Sequence, residues 1–141
     1  MKLVLLAPAE VYARWDEIRS ALQQCITKTN SNYRPEDAYL RLMGSPTSAW
    51  AHEILVQGES CGFIVFTQEY DPDGLVLFVW AIWVSPHSVR RWRDEMSSEL
   101  ERIARECKAK RIRMQSPRAG WKREPFFKQV AVVYEHEVRN A

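Results

Sequence analysis

Cysteine and histidine are sparse in this chain and poorly spaced for the chemistry they usually carry. Cys25, Cys61 and Cys107 are odd in number, far apart and without a Cys-x-x-Cys pair. That argues against a disulfide framework or a zinc site and fits a reducing, cytoplasmic compartment, with each thiol packing as a small apolar residue. His52, His87 and His136 are too scattered for a metal cluster, so no metal ligand is assigned. Long apolar runs are missing as well. The longest, Leu75–Val84, has ten residues, against the roughly 18 of a membrane helix. The apolar stretch Leu3–Ala7 is shorter than the roughly 7–15 residues of a signal-peptide core, and it reads as a first strand. A soluble protein with no membrane partner is expected. No P-loop, Gly-x-Ser-x-Gly or Ser-His-Asp signature is present.

What remains is the composition of one globular domain. The 141 residues are 46% hydrophobic and 27% charged and include six tryptophans, enough to bury about two-thirds of the unfolded surface around an aromatic-rich core. The net charge of +2 conceals an asymmetry: residues 1–84 hold 6 Lys/Arg against 10 Asp/Glu, and residues 85–141 hold 14 against 8. An anion-facing C-terminal half follows as one reading, with Arg90, Arg91, Arg93, Arg111, Arg113, Arg118, Lys122 and Arg123 interleaved by Trp92 and Trp121 as a possible but not favoured nucleic-acid surface. The other reading is a solvated helix face balanced by i,i+4 pairs such as Glu101/Arg105.

Hydrophobic periodicity places the elements. Val11, Trp15, Ile18, Leu22 and Cys25 predict one helix from about Glu10 to Lys28, ended by Asn30-Ser31-Asn32. Pro35 suits the first position of a second helix, with Glu36 and Asp37 in its first turn and Gly44 as a left-handed cap. Three strands follow, Trp50–Val56, Cys61–Thr67 and Leu75–Val84, separated by Gln57-Gly58-Glu59-Ser60 and Asp71-Pro72-Asp73-Gly74. The continuously apolar Leu75–Val84 is expected to be central. Val89, Trp92, Met96, Leu100, Ile103 and Cys107 predict a long helix from Ser88 to about Lys110. A strand Arg111–Gln115, a loop Ser116–Gly120, a short helix near Trp121–Gln129 and a strand Val130–Val138 complete the order β-α-α-β-β-β-α-β-α-β. This is an α+β fold, a mixed, mostly antiparallel central sheet flanked by helices on both faces.

That order resembles the GNAT N-acetyltransferases over almost the whole chain. Val84-Ser85-Pro86 matches the end of the family's fourth strand, and Phe126-Phe127-Lys128-Gln129-Val130 aligns with a later aromatic segment. The tract Ser116–Arg123 is similar to short GNAT-like proteins associated with bacteriophages. The resemblance implies an acetyl-CoA site at the start of the long helix, where backbone amides approach a pyrophosphate through a glycine loop. Here the two glycine positions fall on Trp92 and Asp94, and the usual tyrosine acid falls on Phe127, which has no hydroxyl to donate. Tyr134 would replace it only in a register shifted by a strand. If acetyl-CoA binds, Val84 is expected at the cofactor, and Arg90, Arg91 and Arg93 take its phosphates through their side chains. No catalytic residue is assigned. His52, Glu53, Glu69 and His87 are the candidates for a general base. With both motifs lost, the expectation is a degenerate site with no cofactor, in a non-catalytic phage virion-associated or assembly module with a protein partner or a second copy. The alternative is an active acetyl-CoA-dependent N-acetyltransferase.

Overall fold

The computed structural model describes residues 1–85, 93–115 and 137. Five strands, β1 (Lys2–Leu5), β2 (Trp50–Val56), β3 (Glu59–Asp71), β4 (Gly74–Val84) and β5 (Arg111–Met114), form one sheet in the order β1-β2-β3-β4-β5. All pairs are antiparallel except β4 with β5, which is parallel. Helices α1 (Pro8–Ala13), α2 (Trp15–Thr29) and α3 (Pro35–Met43) precede β2, and α4 (Arg93–Glu106) crosses from β4 to β5. The expected fold class is therefore observed. The expected loop Ser116–Gly120, the helix near Trp121–Gln129, the strand Val130–Val138 and the opening turn of the long helix lie outside the described residues, apart from Glu137.

Two apolar layers hold the helices to opposite faces of the sheet. Val11, Ile18, Leu22, Ala38 and Leu42 pack against Ala51, Phe63, Val65 and Ala81. On the other face Met96, Leu100 and Ile103 of α4 pack against Ile54, Ile64, Phe66, Leu77 and Val79. The alternation of a strand explains the division, because successive residues such as Val65 and Phe66 point to opposite layers.

Several elements differ from the sequence expectation. The first helix is two: Pro8 starts α1 two residues early, as its ring allows, and the helical path breaks at Arg14 (φ −109°, ψ 19°) before α2 begins. Gly44 is extended (φ −66°) and not a left-handed cap. An added Cβ there would meet the Leu40 carbonyl oxygen at 2.9 Å, so close approach explains the glycine. β4 is an interior strand, paired with β3 on one side and from Val76 to Val79 with β5 on the other, and it sends side chains into both layers. β3 is buried at six successive positions from Gly62 to Thr67. α4 stops at Glu106, four residues before the expected end, because Lys108 turns left-handed (φ 61°) and Ala109 N–H bonds back to Ala104 O.

Asn30 carries the left-handed cap of α2 (φ 50°, ψ 43°), its N–H bonded to Ile26 O. Asparagine tolerates that conformation where other side chains cost about 1–2 kcal/mol. Asn30→Ala is expected to destabilise by about 1 kcal/mol and Asn30→Gly to leave stability nearly unchanged, as read by urea denaturation.

Candidate functional site

Among the described residues, the sheet opens at the C-terminal half of β4. Pairing of β4 with β5 runs from Val76↔Arg111 to Val79↔Met114, and among the described residues no strand continues it on that side. The next residue, Trp80, is a bulge: Val65 opposes Ala81 and Phe66 opposes Val79, so Trp80 has no partner in β3. A bulge turns two successive side chains the same way and bends its strand. Trp80 and Ala81 accordingly both join the layer under α2 and α3, while Val79 and Ile82 join the layer under α4.

Beyond the bulge, β4 presents a strand edge among the described residues. Ser85 N–H bonds to Cys61 O at 2.7 Å. In an antiparallel ladder the bonding direction alternates, so Val84 and Ile82 turn their own N–H and C=O groups away from β3. The Ile82 carbonyl accepts a hydrogen bond from the Cys25 thiol of α2 at 3.1 Å. An edge of this kind accepts an extended, amide-bearing ligand as if it were another strand.

Aromatic side chains line the α2 and α3 side of that edge. Tyr33, in the connection between α2 and α3, lies 5.0 Å from Trp80 between ring centroids at 46°. The Arg41 guanidinium sits 5.1 Å from the Trp80 centroid, a cation–π distance. Trp83 donates its indole N–H to Gln24 at 2.9 Å. Burial pushes the Tyr33 phenol up to about 12, with the nearby Cys25 adding to the effect, so Tyr33 is a neutral hydroxyl at physiological pH.

The expected base candidates are not gathered at this edge. Glu53 on β2 is held by Arg14 at 2.5 Å, and that hydrogen bond keeps its carboxyl below the usual range. Arg14 also lies 5.2 Å from the Phe63 ring. Glu69 is half-exposed and pairs with Arg113. His52 is buried under α4, 5.1 Å from Phe66 in an edge-to-face contact, and its Nδ1 has no hydrogen-bond partner among the described residues. Burial, reinforced by Arg102 and opposed by Glu106 and Glu99, pushes it down to about 4. His87 lies outside the described residues, as do Arg90, Arg91, Trp92, Phe127 and Tyr134. Val84 closes β4 opposite Gly62, and Arg93 opens α4.

The basic-surface reading loses two of its members. Arg111 pairs with Asp73 at 2.5 Å and Arg113 with Asp71 at 2.9 Å, across the β3–β4 turn. Glu101 and Arg105 form the expected i,i+4 pair at 3.4 Å. Among the described residues no helix is long and apolar enough to cross a membrane, and no group of three metal-ligating side chains is assembled.

Sequence reasoning missed Tyr33, Trp80 and Cys25 as neighbours of one edge. The bulge that turns Trp80 toward Tyr33 leaves no mark in an all-apolar run.

The sequence matches no family model and no curated protein significantly. Solved structures match it end to end. A ribosomal-protein-alanine N-acetyltransferase from Brucella melitensis biovar Abortus 2308 is 18% identical, with a TM-score of 0.67 over 99% of both chains. An aminoglycoside acetyltransferase from an uncultured soil metagenomic sample, in complex with sisomicin, is 11% identical, with a TM-score of 0.70 over 98% of this chain and 96% of that one. A probable acetyltransferase is 14% identical with a TM-score of 0.68 over 100% and 99%. The chain therefore has the GNAT-like acetyltransferase fold. The bacteriophage association has no counterpart among these structures.

Proposed function

We propose that the protein is an acetyl-CoA-dependent N-acetyltransferase acting on a primary amine. The observation that carries this reading is the strand edge beyond the Trp80 bulge, where Ile82 and Val84 present backbone amides and carbonyls on the side that β5 leaves. The amide-bearing arm of acetyl-CoA has the donor and acceptor pattern of an extended peptide and fits such an edge. Arg93, at the start of the long helix α4, and Arg90 and Arg91 are the residues assigned to its phosphates. When bound, acetyl-CoA supplies an activated acyl group for attack by the amine.

The chain's own contribution is positioning. The β4 edge orients the thioester, and the aromatic lining of Tyr33, Trp80 and Trp83 excludes water from its α2 and α3 side. Glu53, held as a carboxylate by Arg14, and His52, sealed under α4, are not offered as the base. The amine enters in its neutral form or loses its proton to water. The likeness of the fold to that of solved acetyltransferases supports the reading.

A titration of the purified protein with acetyl-CoA, followed by calorimetry and thermal melting, tests it. Saturating ligand at about 100 times its dissociation constant is expected to add roughly 2.7 kcal/mol of stability. Absence of binding at millimolar acetyl-CoA returns the chain to the non-catalytic binding or assembly reading, in which Trp92 fills the phosphate site and a protein partner or second copy is the ligand.

A further inference from the structure

The far border of the sheet is β1, which pairs with β2 on one side and, among the described residues, with no strand on the other. A border strand carries outward N–H and C=O groups that template pairing with another chain unless something covers them. The ladder fixes which groups those are. Leu6 N–H bonds to Ala51 O across β2, and the bonding direction alternates along an antiparallel strand. Val4 therefore faces β2, and Leu3 and Leu5 turn their backbone groups outward.

Both outward groups of Leu3 are taken by side chains of α4. Its N–H donates to Glu99 Oε1 at 3.1 Å, and its carbonyl accepts from the Arg102 guanidinium at 2.9 Å. Glu99 and Arg102 stand three residues apart, so they share one face of the helix. They also bond each other, and Arg102 bonds Glu106 at 2.8 Å, which fixes the guanidinium from two sides. An acceptor and a donor held side by side offer Leu3 what the carbonyl and N–H of one residue in a neighbouring strand would offer. The cover ends there. Val4 and Leu5, the next residues of the strand, are both exposed apolar side chains.

We propose that Glu99 and Arg102 act as a strand mimic that keeps the β1 border from pairing with a second copy of this chain. The excluded partner is a second copy because the border is self-complementary. Two β1 strands related by a two-fold axis at Leu3 run antiparallel, exchange the Leu3 N–H and C=O bonds reciprocally and set Val4 of one copy beside Lys2 of the other. The groups at that axis are the two that Glu99 and Arg102 occupy.

Sedimentation velocity of the full chain over a concentration series tests this, with thermal melting to establish folding. The double variant Glu99→Ala/Arg102→Ala should show a concentration-dependent, roughly twofold rise in mass over the wild type, as an isologous pair requires. Adding Leu5→Pro deletes the next outward N–H, which β2 does not use, and should abolish the rise. Arg102→Ala alone frees only the carbonyl and removes the more exposed of the two side chains, 41% against 13%. It should give a smaller rise, and it carries the test if the double variant does not fold. A lower melting temperature with the wild-type mass at every concentration reduces the pair to a contact of the fold and overturns the proposal. Association that survives Leu5→Pro places the contact away from β1 and overturns it equally.

Discussion

Gly62→Ala is expected to lower stability by about 4 kcal/mol, with backbone strain and steric overlap each contributing on the order of 2. Gly62 sits at φ +157° near the start of β3, between Ile54 on β2 and Val84 on β4. A Cβ built there falls 2.0 Å from the Trp83 carbonyl oxygen and 3.0 Å from Val84 Cα. Both are backbone atoms, so relief requires β3 and β4 to move apart rather than a side chain to turn. The neighbouring Cys61 is the bulged residue of β3, since Ile54 opposes Gly62 while Leu55 opposes Ser60. Its carbonyl accepts the Ser85 N–H that sets which way Val84 points. If the edge holds acetyl-CoA as proposed, the substitution should weaken that binding as well as the fold. Gly58→Ala is the control. Gly58 has φ +79° in the β2–β3 turn with nothing within 4 Å of an added Cβ, so only the conformational cost of about 1 kcal/mol applies. Urea denaturation of both variants separates the two effects. Equal losses would show that the close approach at Gly62 carries no weight.

The elements legible in the sequence are those set by local physics. Pro35 at the first turn, the Asn30 terminus and the β2 and β3 runs with a turn between them follow from backbone preference and apolar patterning, and all three are observed. The division of the first helix is not legible, because Val11, Trp15 and Ile18 keep their spacing across it. What breaks the helix is Arg14, whose partner Glu53 lies 39 positions later on β2. The bulge at Trp80 is hidden as well, because Leu75–Val84 is apolar throughout and two successive residues on one face leave no break in the run. Arg111 and Arg113 counted toward a basic surface because net charge is blind to Asp71 and Asp73 across the sheet. Tyr33 and Trp80 meet only through tertiary structure.

Stability should fall by up to about 3 kcal/mol between pH 6.5 and pH 4 through His52 alone. The imidazole is 8% exposed, lies against the edge of Phe66 and leaves Nδ1 without a partner among the described residues. Burial holds it at about 4, with Arg102 adding to the shift and Glu106 and Glu99 opposing it. In the unfolded chain it takes up a proton near 6.5, so below that pH the unfolded state binds more protons than the folded one. Stability is therefore complete above about 6.5, declines as pH falls, and levels off below about 4 when the folded state also binds the proton. Carboxylates add a separate loss at lower pH. Glu53 and Glu99 are lowered from 4.5, and Asp73, held by Arg111, is lowered to about 2. Their contributions are present above the ordinary carboxylate values and disappear only beneath them. The interval from 6.5 to about 4.5 thus reports His52 with little interference. His52→Leu keeps an apolar group of similar reach against Phe66 and removes the orphaned nitrogen, so its stability should be flat across that interval and exceed that of the wild type at pH 5. Denaturant titrations of both proteins at pH 7.5, 6, 5 and 4.5 measure the slope directly. An identical slope in the leucine variant would place the histidine in contact with water and remove the buried neutral imidazole from the account of this fold.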